Sequence, residues 1–109
     1  MQYLVEGARG SLPSPPEQAI ALLEGTVIPA CEYVIRLKAE GKIPAGGVLV
    51  GDRAIACIIE AASNDEADRI VRDMPLWGLL EWKVTPLQSF EARAEMERQA
   101  VQALKSARR

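Results

Sequence analysis

The sequence predicts an α+β fold with four strands and two helices in the order β-α-β-β-α-β, followed by an extra C-terminal helix. Three observations carry this. Short strand patterns occur at 2–7, 43–50, 53–61 and from about Glu81. Two helical patterns, opened at Ser14 and Ser63, fall between them in the split βαβ order of a ferredoxin-like fold with a four-stranded antiparallel sheet. The run Arg-Ala-Ile-Ala-Cys-Ile-Ile-Glu-Ala at 53–61 is nearly continuous in apolar residues, so both of its faces need cover. Two helices cover only one face of such a sheet. A homodimer whose two sheets pack together is therefore expected.

Each element has a local cause. Residues 2–7 hold Tyr, Leu and Val and stop at Gly7. The loop Gly10-Ser11-Leu12-Pro13-Ser14-Pro15-Pro16 ends in helix-start chemistry: Ser14 as N-cap, Pro15 at the first helical position, and Glu17 completing a capping box. Ile20, Leu23, Val27, Cys31 and Val34 then recur at helical spacing. Pro29 removes a backbone donor and is expected to kink or split the helix near Thr26 to Ile28. Gly41 ends it, with Lys38 and Lys42 beside the stop. In 43–50 the pair Gly46-Gly47 signals a bulge or a close approach by backbone or ligand. Gly51-Asp52 is the expected tight turn of a hairpin.

Ser63-Asn64-Asp65-Glu66 is a second capping box, and Ala67, Ile70, Val71 and Met74 follow on one helix face up to Pro75. A compact apolar turn leads into an alternating strand with Trp82 and Val84 on one side. Ser89 caps a last helix of good helix formers, with a thin stripe of Phe90, Ala94, Met96, Ala100, Val101 and Leu104. Residues 1–88 are thus expected to form the domain. Residues 89–109 are expected to be a helical extension outside the minimal core that either packs on a neighbouring subunit or frays.

Composition excludes several function classes. The 109 residues are 49% hydrophobic and carry a net charge of -2, which describes a folded domain without the basic excess that nucleic acid requires. No apolar stretch approaches ~20 residues, so no membrane span is expected, and the N-terminus lacks the basic start of a signal peptide. Histidine is absent, which removes the commonest general base and metal ligand. Cys31 and Cys57 lie in apolar runs and read as buried, inert thiols of a reduced, cytoplasmic protein; no metal site is expected.

The block Met74-Pro75-Leu76-Trp77-Gly78-Leu79-Leu80-Glu81-Trp82-Lys83-Val84-Thr85-Pro86-Leu87 resembles the C-terminal signature of muconolactone delta-isomerases. The similarity runs back through the helix opened by Ser63, the hairpin, Glu40-Gly41 and the first strand, over about residues 1–88. The resemblance implies a dimeric α+β barrel that can assemble into larger rings. It also implies a cofactor-free 1,3-proton shift within a small unsaturated lactone of aromatic catabolism, which needs a base and donors for an enolate oxygen. Glu32 and Arg36 match an acid and an arginine that the family spaces four residues apart. Where the family carries His and polar aromatic residues in the hairpin, this chain has Ile43-Pro44-Ala45-Gly46-Gly47-Val48-Leu49-Val50-Gly51-Asp52-Arg53.

Without His, a carboxylate is the expected base. Glu6 shares a strand face with Leu4 and is a poised base if that face points inward, or a solvated strand-end acid if it does not. Glu32 is either a second catalytic acid or half of an exposed pair with Arg36. Arg36 and Arg53 are candidate binders of a substrate carboxylate, and Arg53 can equally be a turn residue. Trp77 and Trp82 either wall a ring-sized pocket or pack in the core, and Tyr3 and Tyr33 either donate to an enolate or simply pack. Glu60 either faces the same cavity or marks where its strand meets water. The competing reading is a small-molecule-binding or accessory protein on the same fold, without chemistry. A cofactor-independent monooxygenase is a third, with no residue singling it out.

Overall fold

The computed structural model describes residues 1–108. Strands β1 (Gln2–Ala8), β2 (Ala45–Val48), β3 (Ile55–Glu60) and β4 (Glu81–Leu87) form one antiparallel sheet in the order β2-β3-β1-β4. Helices α1 (Pro16–Leu22) and α2 (Ile28–Ala39) join through a π-helical turn at Leu23–Val27. Helix α3 (Asn64–Arg72), a 3₁₀ turn at Trp77–Leu79 and the terminal α4 (Phe90–Ala107) complete the chain. This is the expected α+β order.

Strand register decides which side chains meet the helices. Tyr3, Val5 and Gly7 of β1 pair across with Ile59, Cys57 and Ile55 of β3, and side chains on paired residues share a face. Tyr3, Val5, Cys57 and Ile59 are buried together with Leu37 of α2 and Ala67, Ile70 and Val71 of α3. Both helices therefore lie on this face. The alternate residues Leu4, Ile58 and Ala56 point the other way and remain half-buried, ringed by exposed Gln2, Glu6, Glu60 and Lys83.

The caps follow local chemistry, with one exception. Ser63 Oγ accepts from the Glu66 amide at 3.1 Å, and Ser89 Oγ accepts from the Ala92 amide at 3.0 Å, as both N-cap positions require. Ser14 does not cap α1. Pro15 is the N-cap, extended at φ -65° and ψ 129°, because a residue followed by proline is pushed out of the helical region; Pro16 then takes the first helical position. The α-helix is divided just before Pro29, as expected: α1 and α2 are separate α-helical segments joined by the π-helical turn Leu23–Val27. The wider π turn just before the proline absorbs the missing donor and the clash with the carbonyl four residues back. At the far end Gly41 adopts φ 80°, the Gly41 amide donates to the Lys38 carbonyl and the Lys42 amide to the Leu37 carbonyl. That is a Schellman stop, and it delivers Ile43 into the core.

The hairpin is shorter and its turn wider than expected. β2 and β3 span four and six residues, and the Leu49 amide closes on the Ala54 carbonyl at 3.0 Å around Val50 to Arg53, with Gly51 at φ 77°. The close approach signalled at Gly46 is real: a Cβ there would lie 2.4 Å from Cys57 Cβ. Helix α4 buries none of its residues. The radius of gyration is 19.0 Å, against about 13 Å for a compact chain of this length, because α4 projects from the body. Among the described residues no helix is long and apolar enough to cross a membrane.

Candidate active site

A half-open cavity of about 360 Å³ lies between α2 and the hairpin end of the sheet. Its helical wall is the row Val27, Ala30, Cys31, Val34, Ile35 and Lys38, which recurs at steps of three and four and so lies along one side of the helix. The opposite wall is Gly46, Gly47 and Val48 of β2 with Ile55 and Cys57 of β3. Gly10 to Leu12 and the turn residues Leu76, Leu79 and Leu80 close the remaining sides. Among the described residues that line it three are charged, Lys38 from α2 and Asp52 and Arg53 from the hairpin tip, and all three are exposed. An apolar chamber of this size with a few charged residues in its lining is the kind of concavity that takes a small molecule.

Asp52 is exposed at the hairpin tip, where its Oδ1 accepts the Arg53 backbone amide at 2.7 Å. Cys57 is 4% exposed, and burial pushes its thiol above the ordinary value of 9.0, so it lines the chamber as a neutral, inert group. Cys31 was expected to be buried as well. It is exposed, because α2 flanks the open chamber there rather than the sheet. Among the described residues no group of three or more His, Cys, Asp or Glu could hold a metal ion.

Of the residues named from the sequence as catalytic or substrate-binding, only Arg53 lines this chamber; the Gly46-Gly47 pair and both cysteines line it as well. Glu6 pairs in register with Ala56 and Lys83 on the sheet face away from the helices, so it cannot enter a space between sheet and helix. Glu32 and Arg36 lie on the exposed side of α2. Arg36 turns onto the Tyr33 ring, 5.5 Å from its centroid, rather than onto Glu32. The Tyr33 hydroxyl donates to the Ile70 carbonyl at 2.7 Å and ties α2 to α3; burial first, then the nearby Asp73 carboxylate, raises its pKa. The Tyr3 hydroxyl donates to Asn64 Oδ1 at 2.7 Å, also a structural bond. Glu60 faces water and pairs with the N-terminal ammonium at 3.3 Å.

Neither tryptophan lines this chamber. Trp82 is on β4, two strands from the hairpin, where its ring covers Gly7 and its Nε1 donates to the Trp77 carbonyl at 2.8 Å. Trp77 carries the Arg72 guanidinium 5.0 Å from its ring centroid. The leucines around Trp77, not the ring itself, wall the chamber.

The family model described as muconolactone delta-isomerase matches residues 1–93. The chain belongs to this family. No curated protein sequence matches it. Among solved structures, it is similar to a crystal structure of muconolactone isomerase, with a TM-score of 0.67 and 19% identity over 82% of this chain and 90% of that one. It is also similar to 5-chloro-2-hydroxyhydroquinone dehydrochlorinase from Burkholderia phenoliruptrix AC1100 in complex with 2,5-dihydroxybenzoquinone. There the TM-score is 0.61 and the identity 22%, over 84% of this chain and 98% of that one. These likenesses establish the muconolactone isomerase fold. The family match ends inside the first turns of α4, so most of that helix lies beyond it.

Asp52 and Lys38 were not singled out from the sequence. Asp52 reads there as a turn residue and Lys38 as a helix-end cation. The one available signal was that Lys38 continues the apolar row Cys31, Val34 and Ile35 at helical spacing.

Proposed function

We propose that the protein is an isomerase-like enzyme that binds a small unsaturated lactone, or a related ring from aromatic catabolism, in the chamber beside α2 and moves a proton within it. The observation that carries this reading is the charged trio Lys38, Asp52 and Arg53 on an otherwise apolar lining, in a chain of the muconolactone delta-isomerase family. In the proposed reaction Asp52 Oδ2 takes a proton from one end of a three-carbon allylic unit. Arg53 or Lys38 holds the enolate oxygen, and the same proton returns at the other end. Composition and oxidation state do not change, so the step needs no cofactor. The half-buried patch of Leu4, Ala56 and Ile58 on the open sheet face supports a sheet-to-sheet homodimer as the working form, with larger rings built from it.

Asp52→Asn keeps the shape and removes the base. It should cost roughly 10²–10⁴-fold in turnover of a muconolactone-type substrate. Glu6→Gln should turn over at the parent rate. The reverse pattern moves the chemistry to the open face and overturns this assignment. A second reading, a binding protein without chemistry, is favoured by one observation: no acidic side chain among the described residues is buried. Saturable lactone binding by the parent protein with no isomerised product decides for that reading.

A further inference from the structure

Helix α4 carries a repeat that the body of the protein does not use. Phe90, Ala94, Glu97, Val101 and Leu104 follow one another at steps of four and three, a heptad seam rather than the broader stripe of a helix packed on a globular core. The seam is exposed: Phe90 is 92% accessible and Leu104 69%. Most helical stability in proteins comes from packing an apolar face, and α4 buries none of its 18 residues on the body.

We infer that α4 pairs with α4 of a second copy as an antiparallel two-stranded coiled coil. The charges select both the partner and the direction. In a parallel pair each seam residue meets its own copy, which brings two Glu97 carboxylates together inside the seam. In the antiparallel pair the two Glu97 are kept apart, each with Arg93 of its own helix at 3.8 Å; Glu97 meets Val101 of the second copy and Ala94 meets Leu104 of the second copy. Alternating large and small side chains then fill the seam. Glu91 falls beside Lys105 of the second copy, and by symmetry this ion pair forms at both ends. Arg108 is placed over Phe90 of the second copy, a cation on an aromatic face. Arg98 meets its own copy at the two-fold axis, but each Arg98 is already bound by Glu95 of its own helix at 3.0 Å. The contact is distinct from the open sheet face. A chain with two different two-fold surfaces builds a tetramer or a longer assembly rather than stopping at a dimer.

The test is sedimentation of the full-length protein with changes on the exposed seam. Val101→Glu with Leu104→Glu should lower the mass of the assembly at least two-fold without altering the fold of the body. An unchanged mass overturns the inference. Direction is read from charge reversal. Glu91→Lys and Lys105→Glu should each weaken assembly several-fold at low salt, and the double reversal should restore it, since it rebuilds both pairs with their signs exchanged. Single reversals without effect, or a double reversal no better than the singles, exclude the antiparallel pair.

Discussion

The two faces of the sheet are built from the same strands yet differ in everything that matters for function. On the covered face Tyr3, Val5, Cys57 and Ile59 are each no more than 4% exposed and pack against α2 and α3. On the open face their immediate neighbours Leu4, Glu6, Ala56 and Ile58 are half-buried or exposed. A strand with period two cannot serve both faces with one residue set, so one step along the chain exchanges a core position for a surface one. Polar chemistry on the open face therefore has no access to the chamber beside α2. The chamber draws its charges from α2 and the hairpin tip, where chain geometry escapes the alternation.

The largest expected effect breaks this comparison directly. Ile59→Asp places an unpaired charge in the core and should unfold the protein, at a cost on the order of 3–5 kcal/mol. Ile58→Asp, one residue away, should leave a folded chain that no longer associates through its sheet. Thermal melts and sedimentation on the pair separate the two outcomes. Equal loss of melting temperature would mean that the open face is as much a core as the covered one.

The glycine pair in β2 sharpens the same contrast. Gly46 shares the covered face, holds φ 149°, and would bring a Cβ to 2.4 Å from Cys57 Cβ. Gly46→Ala should cost about 1–3 kcal/mol through backbone strain and overpacking. Gly47 shares the open face, with nothing within 4 Å of its would-be Cβ, and Gly47→Ala should stay within about 0.5 kcal/mol of the parent. Urea titrations measure both.

Much of this was legible in the sequence because it depends on local chemistry. The capping serines at 63 and 89, the Gly41 stop and the glycine that admits Cys57 all act within a few residues or one strand pair. Ser14 misled because the following Pro-Pro overrides a capping hydroxyl. The direction of β1 was not legible: Leu4 and Val5 are equally apolar, and only packing decides that Val5 faces the helices and Glu6 does not. The chamber was less legible still. Its walls come from segments distant along the chain, and nearly all are aliphatic, a pattern identical to core in one dimension.

A smaller effect distinguishes the faces by pH. Cys57 lies on the covered face, and burial raises its folded-state pKa above the ordinary 9.0. A thiol that ionises less readily when folded contributes stability that is complete below its unfolded pKa and is lost as pH rises through the folded one. Tyr33, raised from 10.0, acts in the same direction at higher pH. Stability should therefore fall as pH climbs above about 9, the ordinary thiol range. Cys57→Ala should lower stability at pH 7 yet flatten the decline above about 9. An unaltered slope in that variant would assign the alkaline loss elsewhere.

The smallest expected effect on the body comes from the largest excision. Removing residues 91–109 takes away nearly all of α4, yet α4 buries none of its residues, and its ion pairs Arg93–Glu97 and Arg98–Glu95 lie within the helix. No core side chain loses a neighbour from this deletion, because the buried cluster contains nothing beyond Val71 apart from half-buried Trp82. Exposed pairs of this kind contribute at most ~1 kcal/mol each, and they vanish together with the helix they stabilise. The truncated chain at low concentration should melt within a few degrees of the full-length protein. Its assembly should be smaller. A truncated chain that is unfolded, or that melts far below the parent under conditions where both are monomeric, would show that α4 supports the sheet through contacts absent from this structure.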